Sequence, residues 1–534
     1  MADALRARSD EDLARLFEAR PDLVSPLPVG LAGVAARATT RASLHRALAG
    51  LDLPTLQIAT VVAVLPPPLS LGAIARAAQA SNDRVRPLLT RLIDLGIVFG
   101  STRSVHPVRM LPELLGPYPA RLGPPVADLI GRSPARLSVI CEVLQLPVDV
   151  AELSRALTGV QDLVTQAPEG SRELLTRLDE TGPVGSVRNA QRKLDSQDDS
   201  PLGWLLARGL VCPVDESHVV LPREVGVGLR GGVLKLTEPP QAPPAGRSGE
   251  LVERVAPGAA VDIVQRVADL ITELDREPAP TLRNGGVASR DVTRLGRTLH
   301  TDAAGTALAL VLTAGAGLIA VDDDLDPHLR PTETADLWLE VSTGARWVRL
   351  VEGWLAAPWA ASLVGTRDAR GTLCSALSPG SERDAERRLR HQTLQVLVEA
   401  DQGSGHTPDS VRAVLEYRAP RGPIAAAPGL VETVLHEAQT LGLTAFGVTS
   451  SFARPLVDPL AGAETAAAAL DSLLPAPAER VLLQADLTAV APGPLTRATQ
   501  AFMEAVAEIE SRGGATVFRF TPASIERALD GGRD

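Results

Sequence analysis

Gly226, Gly228 and Gly231 spell G-x-G-x-x-G, a spacing that lets backbone approach a pyrophosphate. That loop works only where a helix opens at the last glycine and aims its N-terminus at the phosphates. Here Gly232 and a short expected strand lead on into prolines, so the pattern is not read as a cofactor site. Residues 318–324, LIAVDDD, have the form of an apolar strand whose terminal acids hold Mg²⁺ in nucleotide hydrolases. The partner of that strand would be G-x-x-x-x-G-K-[ST], whose lysine reaches the β- and γ-phosphates. Lys193 follows NAQR and Lys235 follows GGVL, and the chain has no other lysine. A motor is therefore not expected, and the acids read as a solvated turn. They also lack the sixth-position glycine of a calcium loop. The eight histidines show no H-E-x-x-H, and neither C-x-x-C nor G-x-S-x-G occurs. The reading is of no enzyme, no nucleotide cofactor and no metal, with a site assembled from distant residues left open.

Arginine carries the remaining chemistry. Arg84, Arg86 and Arg91 fall on one expected helix and Arg103 on the turn after it, while Arg188, Arg192 and Lys193 form a second basic cluster. Such residues can contact phosphate and base edges, with a hairpin touching the backbone. The net charge of −11 argues against a chain that coats nucleic acid non-specifically, because that requires broad phosphate neutralisation. Local basic faces remain open to DNA. The same residues also fit a solvated charged face, or one that binds protein.

The elements that would position these arginines are legible. Residues 56–65 read as an apolar helix ended by Pro66, Pro67 and Pro68. Ser70 can cap a helix over 71–78, and Asn82 or Asp83 a third that runs to Leu95. Gly96 ends it, and Ile97, Val98 and Phe99, a turn at 100–103 and residues 105–108 make a hairpin. Three helices and a hairpin make a winged helix. The ending recurs. Leu95-Gly96-Ile97-Val98, Arg208-Gly209-Leu210-Val211, Ala316-Gly317-Leu318-Ile319 and Leu441-Gly442-Leu443-Thr444 each precede a polar turn and a second strand.

The expected architecture is mainly α with small β-hairpins (α+β). A helical segment at 1–50 precedes winged-helix-like units at 51–125, 126–236, 250–376 and 377–478. A proline-rich linker spans 237–249, and a terminal segment 479–534. Trp338, Trp347, Trp354 and Trp359 read as a packing layer inside the third unit. Cys141, Cys212 and Cys374 read as buried thiols of a reducing compartment. No signal core and no long apolar run occurs, so a cytoplasmic chain without a membrane is expected.

The terminal segment carries the most family character. Residues 481–490 read as a buried strand, and Phe502, Val506 and Ile509 as the stripe of a helix over 496–512. Gly513 and Gly514 would stop that helix, Thr516, Phe518 and Phe520 alternate as a strand, and Thr521-Pro522 opens a second helix. The order VLLQADLTAVAPGPL, helix, IESRGGATVFRFTPASIERAL resembles the N-terminal domain of XPB-type DNA repair helicases. It is similar, too, to actinobacterial helicase-associated proteins that have no motor, which the preceding residues also resemble more loosely. The resemblance implies a β-α-β-α segment, continued in the family by further helices, so that this copy is expected to be incomplete at Asp534. It implies DNA and an XPB-like helicase as partners, in repair or transcription-linked processing, with no catalytic residue. The competing reading is a winged-helix transcriptional regulator or chromosome-organising adaptor that binds DNA directly.

Overall fold

The first helix and hairpin set is built from strong local caps. The computed structural model describes residues 2–130, 133–195, 197–247, 249–283, 285–368, 370–422, 429–457, 460–476, 478–493, 495–512 and 515–530. Helix α1 (Leu53–Val64) starts where the Asp52 carboxylate accepts from the Thr55 N–H at 3.1 Å. Ser70 caps α2 (Leu71–Ala77). Ser81, rather than Asn82 or Asp83, caps α3 (Asn82–Asp94), which continues through Pro87. Strands β1 (Val98–Ser101) and β2 (Ser104–Pro107) pair antiparallel around a two-residue turn.

The glycine joint has one geometry at all four sites. Gly96, Gly209, Gly317 and Gly442 take φ of +66°, +66°, +72° and +72°. In each the next residue's N–H reaches back to the carbonyl five positions earlier: Ile97 to Leu92, Leu210 to Leu205, Leu318 to Thr313 and Leu443 to Ala438. This is the Schellman ending, which a left-handed glycine allows without steric cost. Ile97, Leu210, Leu318 and Leu443 are then all fully buried, so the joint seats a hydrophobic residue beneath the hairpin.

The second set has α4 (Glu169–Thr181), β3 (Val184–Ser186), α5 (Pro201–Ala207), β4 (Cys212–Pro213) and β5 (His218–Val220). The third has α6 (Gly249–Arg276), β6 (Ala279–Pro280), α7 (Ser289–Thr298), α8 (Ala303–Gly315), β7 (Ile319–Val321) and β8 (His328–Pro331). Helix α9 (Thr343–Ala356) follows. The fourth has α10 (Asp384–Glu399), α11 (Pro408–Arg418), α12 (Leu430–Thr440), β9 (Thr444–Ala445) and β10 (Val448–Thr449). An additional strand, not anticipated from the residues, follows the first helix of the second and third sets. It pairs with the second hairpin strand, giving the orders β3-β5-β4 and β6-β8-β7. Single bridges do the same work elsewhere, Leu69 with Val105 and Gly405 with Val448.

The fold is mainly helical with small antiparallel sheets. The chain divides into two compact units, Met1–Gln241 with Ala413–Ala426, and Ala242–Arg412 with Ala427–Asp534. The change at Gln241 falls inside the proline-rich run. Before it, Val233 and Leu236 return to the core of the first set, where their N–H groups donate to Ala77 and Ala78. Cys141, Cys212 and Cys374 are buried free thiols. Among the described residues, no helix is long and apolar enough to cross a membrane.

In the second unit α9 packs on α8 at a crossing that only glycine permits. A Cβ on Gly315 would sit 2.3 Å from the Gly353 carbonyl oxygen. The α9 tryptophans reach the fourth set: Trp347 donates to the Leu441 carbonyl at 2.6 Å and Trp354 to the Glu437 carboxylate at 2.7 Å. Buried Arg390 completes the joint, donating to Glu437 at 3.1 Å, to Glu386 at 2.9 Å and to the Trp354 carbonyl at 3.2 Å. Burial, with Glu437 beside it, pushes the Glu386 carboxyl up to about 7. Trp338 is also buried and Trp359 half-buried, so the tryptophans pack within the fold, but Trp347 and Trp354 join the third set to the fourth instead of staying inside the third.

The terminal segment departs from the expected β-α-β-α order. Residues 481–490 are no single strand: β11 (Leu482–Leu483) turns at Asp486 and Leu487 into β12 (Thr488–Ala491). Helix α13 (Arg497–Val506) ends early, and β13 (Glu508–Arg512) pairs with β14 (Thr516–Arg519) across a bulge. Gly513 and Gly514 lie outside the described residues, but a helix that ends at Val506 needs no stop there. Ile509 faces the same core from a strand. Alternation in Glu508–Arg512 and a ready partner in Thr516–Arg519 outweigh the helical stripe. Helix α14 (Pro522–Asp530) does open as expected, with Thr521 and Ser524 exchanging caps. The order is β-β-α-β-β-α on a sheet β11-β12-β14-β13.

Candidate nucleic-acid interface

Helix α3 presents its arginines in two directions. Positions 84 and 91 differ by seven residues, close to two turns, whereas position 86 lies roughly 160° around the helix from 84. Arg84 pairs with Glu238 at 2.5 Å and donates to the Thr237 carbonyl. Gln57 anchors that segment: its amide donates to the Thr237 hydroxyl at 2.8 Å and accepts from the Thr237 N–H at 3.0 Å. Arg91 pairs with Asp52 at 2.8 Å and donates to the Gly50 carbonyl. Tyr417 lies in the same electrostatic neighbourhood, and burial raises its phenol.

Arg86 and Arg103 are exposed and have no ionic partner among the described residues. Arg103 sits in the two-residue turn of the first hairpin, as its spacing predicts. Of the first cluster, these two point their charge at solvent.

The second cluster does not lie on a helix. Residues 187–195 follow β3 as an irregular loop. Arg192 folds back on it, donating to the carbonyls of Asn189 and Arg188 at 3.1 and 3.0 Å and approaching Asp198 at 3.7 Å. Arg188 and Lys193 are exposed.

The later sets cannot present their third helices in the same way. In α5 the run Gly203, Trp204, Leu205, Leu206 and Ala207 is buried. In α8 every residue from Thr306 to Thr313 is buried. Helix α12, LVETVLHEAQT, has no arginine or lysine and commits Glu437 to the buried Arg390. The third hairpin is acidic, and its Asp322 carboxylate accepts from the His328 N–H and from Arg330, which lower its pKa. Residues 319–321 form β7, Asp322 is a strut within the hairpin, and Asp323 and Asp324 lie exposed in its turn. The G-x-G-x-x-G run is also structural. Gly226 and Gly228 lie inside helix Arg223–Arg230, not before a helix, and no short strand follows. A Cβ on Gly228 would lie 2.6 Å from the Thr158 carbonyl oxygen. Among the described residues no group of His, Cys, Asp or Glu could hold a metal ion.

The terminal segment is a small separate core. Ala489, Ala491, Met503, Ala507 and Phe518 are buried between the sheet and its two helices. Phe502, expected to face inward, is 52% exposed, and Met503 takes its place. Arg519 ties the sheet to the β11–β12 turn by donating to the Asp486 carbonyl, and pairs with Glu510 at 2.6 Å. Residues 481–534 match the family model of the helicase conserved C-terminal domain. The segment is thus helicase-related. No curated protein matches the chain.

Proposed function

We propose that this protein is a non-catalytic accessory factor that works with an XPB-type helicase in DNA repair or transcription-linked processing. The carrying observation is the helicase-domain match at residues 481–534 in a chain without a phosphate-binding lysine loop. In this reading the terminal segment docks on the helicase, and the four helix-and-hairpin sets are winged helices, the second with an irregular loop at 187–195 in place of its middle helix. The strand order of the sets supports that name: a short strand or a single bridge after the first helix pairs with the second hairpin strand. Their roles differ. The first grips DNA through Arg86 on its third helix and Arg103 on its wing, because the third helices of the others are buried or lack basic residues. Arg188 and Lys193 supply a secondary phosphate contact.

The test is a fluorescence titration of forked and duplex DNA at low and raised salt, with and without an XPB-type helicase. Binding that tightens when the helicase is added supports the accessory role. Tight, sequence-selective duplex binding by the chain alone would overturn it in favour of a regulator. ATP hydrolysis by the purified chain would overturn the non-catalytic assignment.

A further inference from the structure

The first hairpin carries an aromatic pair on the face turned away from the core. Phe99 of β1 and His106 of β2 are register partners, with ring centroids 5.5 Å apart and planes 16° from parallel. Val98 and Val105, their strand neighbours, are fully buried. Alternation therefore places the ring pair on the opposite face of the ladder, where both rings are partly exposed. The Ser104 hydroxyl, 3.2 Å from the His106 Nε2, fixes the imidazole plane. Arg103 sits in the turn of the same hairpin, exposed and without an ionic partner among the described residues. Aromatic residues make up only 3% of the chain. The other ring pair among the described residues, Trp347 with Phe452, is edge-on and wholly buried.

We propose that the Phe99–His106 face is a stacking platform for an unpaired nucleobase, with Arg103 on the adjoining phosphate. A base within continuous duplex is already stacked on both faces, whereas one at a fork or tail has a face free. An aromatic ring accepts any such base regardless of sequence. The first wing then selects duplex–single-strand junctions, the DNA form on which a helicase partner works. This rests on the nucleic-acid reading above and names its substrate class. A cross-strand ring pair also stabilises a hairpin by itself, so the test must read stacking directly.

The full chain is titrated with a fork carrying 2-aminopurine at the first unpaired position, and with a blunt duplex of equal length. Roughly tenfold tighter binding to the fork is expected from one stacked base, with quenching of the 2-aminopurine. Phe99→Leu loses both the preference and the quench, and Phe99→Tyr restores both. Thermal melting of each variant verifies that the hairpin is folded. Equal affinity for fork and duplex overturns the platform, as does a preference that survives in folded Phe99→Leu. If binding is blind to the fork yet falls on reversal of Arg86 and Arg103, only the platform fails. If no DNA binds, with or without helicase, the platform and the nucleic-acid reading fail together.

Discussion

Arg84 donates to Glu238 across 154 positions of sequence, at 2.5 Å, and so a residue suited to phosphate already holds a carboxylate. The segment bearing Glu238 is fastened by Gln57 and by buried Leu236, which places the acid on α3. Replacing Glu238 with Gln is expected to release Arg84. DNA affinity should rise by a few-fold at most, since an ion pair this exposed is worth about 1 kcal/mol or less. The salt dependence of binding should steepen by about one counterion. Titration at two salt concentrations measures both.

Reversing Arg86 and Arg103 to Glu should abolish binding by the first wing while leaving stability within about 0.5 kcal/mol of the starting protein, because neither side chain has an ionic partner among the described residues to lose. The same reversal at Arg84 and Arg91 should lower the melting temperature instead, by setting Glu238 and Asp52 against new carboxylates. Parallel melting and binding curves on the two double variants separate these outcomes.

Gly353→Ala should destabilise the second unit by about 1–3 kcal/mol, the usual cost of overpacking. The added methyl would meet the Ala316 backbone nitrogen at 2.6 Å, and backbone at a helix crossing has little room to give. Denaturant unfolding followed by tryptophan fluorescence reports it, since Trp347 and Trp354 lie on the same helix. A midpoint unchanged from the parent would refute the crossing geometry.

Glu386 sets a pH dependence. Its carboxyl titrates near 7 when folded, against 4.5 in the reference state. The folded state therefore binds the extra proton between those values, and this group's contribution to stability falls as pH rises from about 4.5 to about 7. Above that window the cost of a buried charge is fully present. Glu386→Gln keeps an acceptor for Arg390 and leaves it balanced by Glu437. The variant should melt higher than the parent at pH 8 and show a flatter melting profile from pH 5 to 8. A parent profile that rises across that range would contradict the assignment.

The difference between what was legible and what was not follows the range of the interactions. Gly96, Gly209, Gly317 and Gly442 were readable because a Schellman ending is decided within six residues by glycine's access to positive φ. The caps at Ser70 and Thr521 are local in the same sense. The strand after the first helix is not legible because it is as short as one bridge, Leu69 with Val105, and has no periodicity to detect. Glu508–Arg512 reads as helix for a related reason. Ile509 fits a helical stripe and a strand equally well, and the ladder to Thr516–Arg519 makes the choice.

Sequence alone determined the four glycine joints, the hairpins after them, the absence of a phosphate-binding lysine loop and the helicase-related character of residues 481–534. These rest on residue type and on contacts a few positions apart. Tertiary structure decided which charges are free. Arg84 meets Glu238 and Arg91 meets Asp52, while Arg86 and Arg103 meet neither. It likewise decided that α8 is buried against α9 and that Glu437 belongs to Arg390. An arginine's electrostatic use depends on what the fold brings within a few ångströms, and that neighbour can lie a hundred and more residues away.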